Sequence, residues 1–139
     1  MPIQNQPFMR LHSLAPSRPY LRIRIINPEN GRFFDSLGQI DTGADVCTFP
    51  SQIATVLGHD LEAGQASHSG TANGLARTYS HTTTIEVLTL AGDILLTIQN
   101  IQAHYMRDLH TCLIGVDQFL GRYHLQINYP KQIFSITTS

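Results

Sequence analysis

The sequence contains no tryptophan and only two cysteines in 139 residues, and charged side chains make up just 14% of it. Cys47 and Cys112 are too few for the disulfide framework of a small secreted domain, and their separation fits no metal-ligand spacing. Both are expected to be reduced and buried, as free cysteines commonly are. No apolar run approaches the roughly 18 residues that a transmembrane helix needs. The first twenty positions are broken by Pro2, Pro7, Pro16 and Pro19 and hold no apolar signal-peptide centre. These absences predict a soluble, cytoplasmic protein. The seven histidines form neither an HExxH pattern nor a His/Cys cluster, so no metal and no cofactor is expected. A net charge of -1 gives no electrostatic case for nucleic acid or an anionic membrane as partner.

What is present is ample for a core. Hydrophobic residues make up 42% of the chain, and a single domain of this length buries roughly 68% of its unfolded surface. Residues 1–18, rich in Pro, Gln and Ser, read as an extended arm outside the core, leaving 19–139 as the domain. Leu21 to Ile25 alternates apolar and basic residues, the period-two pattern of a half-buried strand, with Arg22 and Arg24 on its solvated face. Turn residues at Asn27 to Gly31 return it as a hairpin through Arg32 to Phe34, and a second break is expected at Ser36 to Gly38. Pro50 ends a short β-rich run, Ser51 is placed to N-cap a helix over Gln52 to Leu57, and Gly58 stops it.

Ala63 to Gly74 has almost nothing to bury and reads as a mobile loop or a hairpin tip. Strands are expected within Leu75 to Leu90, at Ile94 to Ile98 and, after a break at Gln99-Asn100, at Ile101 to Tyr105. His110 to Ile114 is short and apolar, Val116 to Leu120 suits one or two helical turns, Leu125, Ile127 and Tyr129 alternate, and after a turn at Pro130-Lys131 the residues Ile133, Phe134 and Ile136 close the chain in extended form. Many short strands with frequent turns and one or two short helices predict an all-β, closed or nearly closed fold.

One stretch stands apart. In Gln39 to Asp45 a carboxylate follows an apolar residue and precedes Thr42, Gly43 and Ala44. A solvated loop aspartate needs none of those neighbours. One that must meet a second carboxylate at close range needs a hydroxyl to fix the loop and a glycine to let backbones approach. By average usage such a tetrapeptide arises by chance in on the order of one chain in a few hundred of this length.

The order of features then carries a resemblance. Asp41-Thr42-Gly43-Ala44 is followed about thirty residues later by a glycine-rich segment, then by Leu113-Ile114-Gly115 and the acidic, aromatic stretch Val116 to Leu120. Over roughly Leu21 to Ile136 the chain resembles the single-domain, retropepsin-like aspartic proteases, especially their cellular and bacterial members. That resemblance implies a closed acid-protease barrel with a flap hairpin. It makes Asp41 the catalytic aspartate, has Thr42 lock two active-site loops together, and puts Gly43 and Ala44 along the cleft. Ser69 to Gly74, with Gly70, Thr71 and Ala72, would be the flap tip over a bound peptide. Asp45, Val46, Leu113 and Ile114 would contact substrate. Gln39 and Val116 depart from the retroviral pattern, which has an apolar residue and an arginine there, so Asp45 is left without its usual cation. Asp45 could equally brace its loop.

Peptide hydrolysis by carboxylates needs one ionised group to take a proton from water and one protonated group to give a proton to the carbonyl oxygen. Two carboxylates about 3 Å apart share one proton, because repulsion of roughly 5 kcal/mol at an effective dielectric of 20 opposes double ionisation; aspartic proteases are the standard illustration. Asp-Thr-Gly occurs once in this chain, so the expected unit is a homodimer acting on peptide or protein substrates, joined through the C-terminal strand Gln132 to Ile136. The competing reading is a dimeric peptide-binding or assembly module on the same fold, with weak or no catalysis.

Overall fold

The computed structural model describes residues 3–71 and 74–138. Among the described residues ten strands dominate: β1 (Ile3–Pro7), β2 (Tyr20–Ile26), β3 (Phe33–Ile40), β4 (Thr48–Pro50), β5 (Gln65–Thr71), β6 (Gly74–Leu88), β7 (Ile94–Met106), β8 (Cys112–Ile114), β9 (His124–Asn128) and β10 (Ile133–Thr137). One α-helix, α1 (Ser51–Val56), and 3-10 turns at Leu61–Ala63 and Leu120–Arg122 complete the regular structure.

Strands β2, β3, β8, β4, β7 and β6 follow one another in hydrogen-bonded order, and β6 pairs again with β2, so six strands close into a barrel. The alternation read in β2 explains the closure: Leu21, Ile23 and Ile25 point inward and are buried, while Arg22 and Arg24 face out. Phe49, Ile85, Ile98, Tyr105, Ile114 and Phe119 fill the interior from other elements. A buried hydroxyl pair there is satisfied, with Thr83 Oγ1 2.8 Å from Tyr105 Oη. Cys47 and Cys112 are free and buried, and burial pushes both thiols up to about 11, so neither ionises near neutrality.

Several local expectations are corrected. β3 runs unbroken through Ser36 to Gly38; Gly38 is a packing glycine, because a Cβ there would lie 2.9 Å from the Ile114 side chain. β7 also continues through Gln99 and Asn100, where a register shift against β6 and a φ of 55° at Asn100 mark a bulge rather than a break. Ser51 is the first residue of α1 and not its cap, since Pro50 holds that position. Val116 to Leu120 forms turns, and Gln118 at φ 64° interrupts any α-helix there.

The N-terminal segment is extended, yet it does not stand outside the core. β1 pairs with β10, Ile3 is 3% exposed, and Phe8 meets Tyr129 edge-on with ring centroids 5.7 Å apart. Composition hides this, because two well-placed apolar residues are enough to dock a polar strand. β10 consequently lies between β1 and β9 in a separate three-stranded sheet. Both of its edges are used within the chain, so among the described residues the free edges of that sheet belong to β1 and β9, not to Gln132–Ile136.

Candidate active site

The loop 41–46 leaves the buried end of β3, and its position is set almost wholly by main-chain bonds. The Asp41 amide donates to the Ile114 carbonyl (3.0 Å), and the Val116 and Asp117 amides donate to the Ala44 and Asp45 carbonyls (3.0 and 2.7 Å). Within the loop, the Ala44 amide donates to the Asp41 carbonyl (3.1 Å). Gly115 is where the two segments touch: a Cβ there would overlap the Val46 carbonyl, so only glycine permits the approach. The parallel pairing of β3 with β8, Ile40 beside Ile114, brings those segments together from distant parts of the sequence.

Asp41 is partly exposed, and its Oδ1 accepts a hydrogen bond from the Gly43 amide at 2.9 Å. That amide turns the carboxylate into the loop's mouth and leaves its second oxygen free for other partners. Thr42 is exposed, and its hydroxyl has no hydrogen-bond partner among the described residues. Asp45 is exposed and makes no ion pair among the described residues, in keeping with Val116 following Gly115.

A cleft of about 410 Å³ opens over this loop. Asp41, Gly43, Ala44, Asp45 and Val46 form its floor, and Thr48, Met106, Leu109 and Leu113 its side walls. Its roof is the β5–β6 hairpin, through His68, Ser69 and Gly70. The glycine-rich stretch is thus a hairpin in register from Gln65 with Ser80 to Thr71 with Gly74.

Most residues singled out from the sequence converge on this cleft. Ile114 does not: it is fully buried, because alternation along β8 turns Leu113 to the cleft and Ile114 to the core. Of Thr71, only the backbone is described, and Ala72 lies outside the described residues. His68, Met106 and Leu109 were not singled out. They come from strands and loops far from Asp41 in sequence, and only the hairpin register of β5, which puts His68 and Gly70 on one face, could have flagged the first. His104, on β7, lies outside the cleft lining; burial lowers its affinity for a proton, and its Nδ1 is 2.9 Å from Thr78 Oγ1.

Among the described residues no group of three or more His, Cys, Asp or Glu side chains could hold a metal, and no helix is long and apolar enough to cross a membrane. What the cleft offers is a carboxylate with a free oxygen, a deep main-chain cradle and a β-hairpin above, an arrangement suited to an extended chain and to proton transfer.

A family model described as aspartyl protease matches residues 32–118, more than half of the chain and the whole span from β3 to the turn after β8. Among solved structures, a retropepsin-like aspartic protease from Rickettsia conorii is similar over 96% of this chain and 98% of its own, with 21% identity and a TM-score of 0.61. The EIAV protease, solved in complex with the inhibitor HBY-793, covers 79% of this chain and 93% of its own at 21% identity and a TM-score of 0.46. No curated protein sequence matches.

Proposed function

Since the chain belongs to the aspartyl protease family and has the retropepsin-like fold, we propose that it is a homodimeric endopeptidase whose Asp41 works as a pair with Asp41 of a second copy. One observation carries the reading: a single Asp-Thr-Gly loop, pinned by its backbone, presents one partly exposed carboxylate to a cleft roofed by a hairpin. One carboxylate cannot be both proton acceptor and proton donor in the same step, so the site as it stands in one chain is half of a catalytic unit. The exposed, unpartnered Thr42 hydroxyl beside it supports a loop that meets another loop, as does the exposed face of Gly43.

In the dimer the ionised carboxylate takes a proton from a water molecule as the water oxygen adds to the scissile carbonyl carbon. The protonated carboxyl gives its proton to the carbonyl oxygen, producing a neutral tetrahedral diol. Proton return to the amide nitrogen then releases the two peptide ends. The hairpin roof can add main-chain bonds to an extended substrate, and Val46, Met106, Leu109 and Leu113 offer apolar contacts near the scissile bond. Thr71 and Ala72 belong to the same proposal as the flap tip.

Digestion of casein and of a peptide library tests this, using wild type and Asp41→Asn, each sized by sedimentation. Wild type should cleave and the variant should lose at least about 100-fold of that rate while remaining folded. Equal cleavage by both would take Asp41 out of the reaction, and no cleavage by a dimeric wild type would leave the peptide-binding module as the better description.

A further inference from the structure

The walls of the cleft differ in charge. Its floor carries two carboxylates, Asp41 and Asp45, and the only basic side chain among its described lining residues is His68 on the roof. His68 stands directly opposite Arg77 in the β5–β6 register, and directly opposed residues of an antiparallel pair project from the same face. Both side chains are exposed, and neither has an ion pair or a side-chain hydrogen bond among the described residues. Like charges placed opposite each other in a sheet repel. An anion brought between them would relieve that repulsion, and the acidic floor cannot be that anion and also hold a substrate between itself and the roof.

We propose that His68 is a specificity-determining residue, selecting substrates with an acidic side chain that points from the bound peptide up toward the hairpin. In an extended chain, side chains alternate between two faces, so such a residue sits at a fixed parity from its neighbours that point to the floor. An acidic side chain directed down meets Asp45 and is disfavoured; one directed up meets His68, with Arg77 beside it. The selection is therefore positional. The inference rests on the peptide-cleaving reading for its substrate class, but its test does not depend on turnover.

The probes are short fluorescent peptides built around a central Leu-Phe pair, in matched Glu and Gln versions scanned across the flanking positions. Binding to Asp41→Asn is read by fluorescence anisotropy, and cleavage by wild type is read in parallel. At one position or at alternate positions, Glu should be preferred over Gln by about fivefold. In the Asp41→Asn background, His68→Gln should bring that preference below about twofold, and His68→Lys should keep it in full. No discrimination in binding at any position, a preference that survives His68→Gln undiminished, or no binding by any probe would overturn the proposal. Discrimination in binding without any cleavage by wild type would uphold His68 and refute the protease reading; cleavage without discrimination would do the reverse.

Discussion

The floor of the cleft is fixed from behind, whereas its roof is held mainly by its own ladder. Loop 41–46 receives or donates main-chain bonds from Ile114, Val116 and Asp117, and Gly115 leaves no space between the segments. The β5–β6 hairpin pairs internally from Gln65 to Thr71, and β5 is the end strand of its sheet with a free outer edge. Gly70 at its tip has nothing within 4 Å of where a Cβ would stand. The contrast divides the labour: groups that must keep a set geometry sit on the braced loop, and groups that must admit and grip a chain sit on the compliant hairpin.

A pair of glycine substitutions breaks that contrast most visibly. Gly115→Ala drives a methyl into the Val46 carbonyl and should cost about 3 kcal/mol in urea unfolding, near the top of the overpacking range. Gly70→Ala should stay within about 0.5 kcal/mol of wild type. Equal costs at the two sites would mean that the floor is no better braced than the roof.

A smaller effect concerns the root of the hairpin. His59 stacks on His81 with ring centroids 4.4 Å apart, His81 Nε2 is 2.9 Å from the Leu61 carbonyl oxygen, and Gly64 fits tightly beneath the same ring just before β5. Burial, and then the neighbouring His81, lower the proton affinity of His59, with Glu29 opposing; burial alone lowers that of His104. The unfolded chain therefore binds protons that the native chain does not. The stabilisation is complete above the ordinary histidine value near pH 6.5 and is lost as the pH falls from there toward the lower native values. His59→Phe, which keeps the stack and removes that titration, should lessen the loss of stability between about pH 7 and about pH 5 and leave the part due to His104, measured by thermal unfolding across that range. An unchanged slope would exclude the pair as its source.

The smallest effect lies away from the cleft. Arg24 and Asp35 form a two-point ion pair on the barrel's outer face, at 2.7 and 3.0 Å, with Arg24 also 4.2 Å over the Phe33 ring. The guanidinium holds the Asp35 carboxyl below its ordinary value, first through the hydrogen bond. Since both side chains are more than a third exposed, Asp35→Ala should cost under about 1 kcal/mol and less in high salt.

The sequence made most of the floor legible and less of the roof. Asp41 to Val46 and Leu113 are contiguous runs whose odd composition can be read directly. His68, Met106 and Leu109 reach the cleft only through β-sheet register and barrel closure, which no local pattern encodes. The barrel's strands followed from alternation at Leu21 to Ile25 and from turn residues at Asn27 to Gly31. Continuity failed where glycine and asparagine were read as punctuation: Gly38 serves packing and Asn100 a bulge. β1 was missed as part of the core because Ile3 and Phe8 lie in a proline-rich, polar setting.

The central claim is that Asp41 is half of a site, and subunit mixing tests it most directly. Wild-type protein at a fixed concentration is re-equilibrated with increasing Asp41→Asn, and peptide cleavage is followed. Hybrid dimers carry one carboxylate, so activity should fall steadily and approach zero when the variant is in large excess. Activity that stays constant however much variant is added would contradict a shared site and place the whole reaction within one chain.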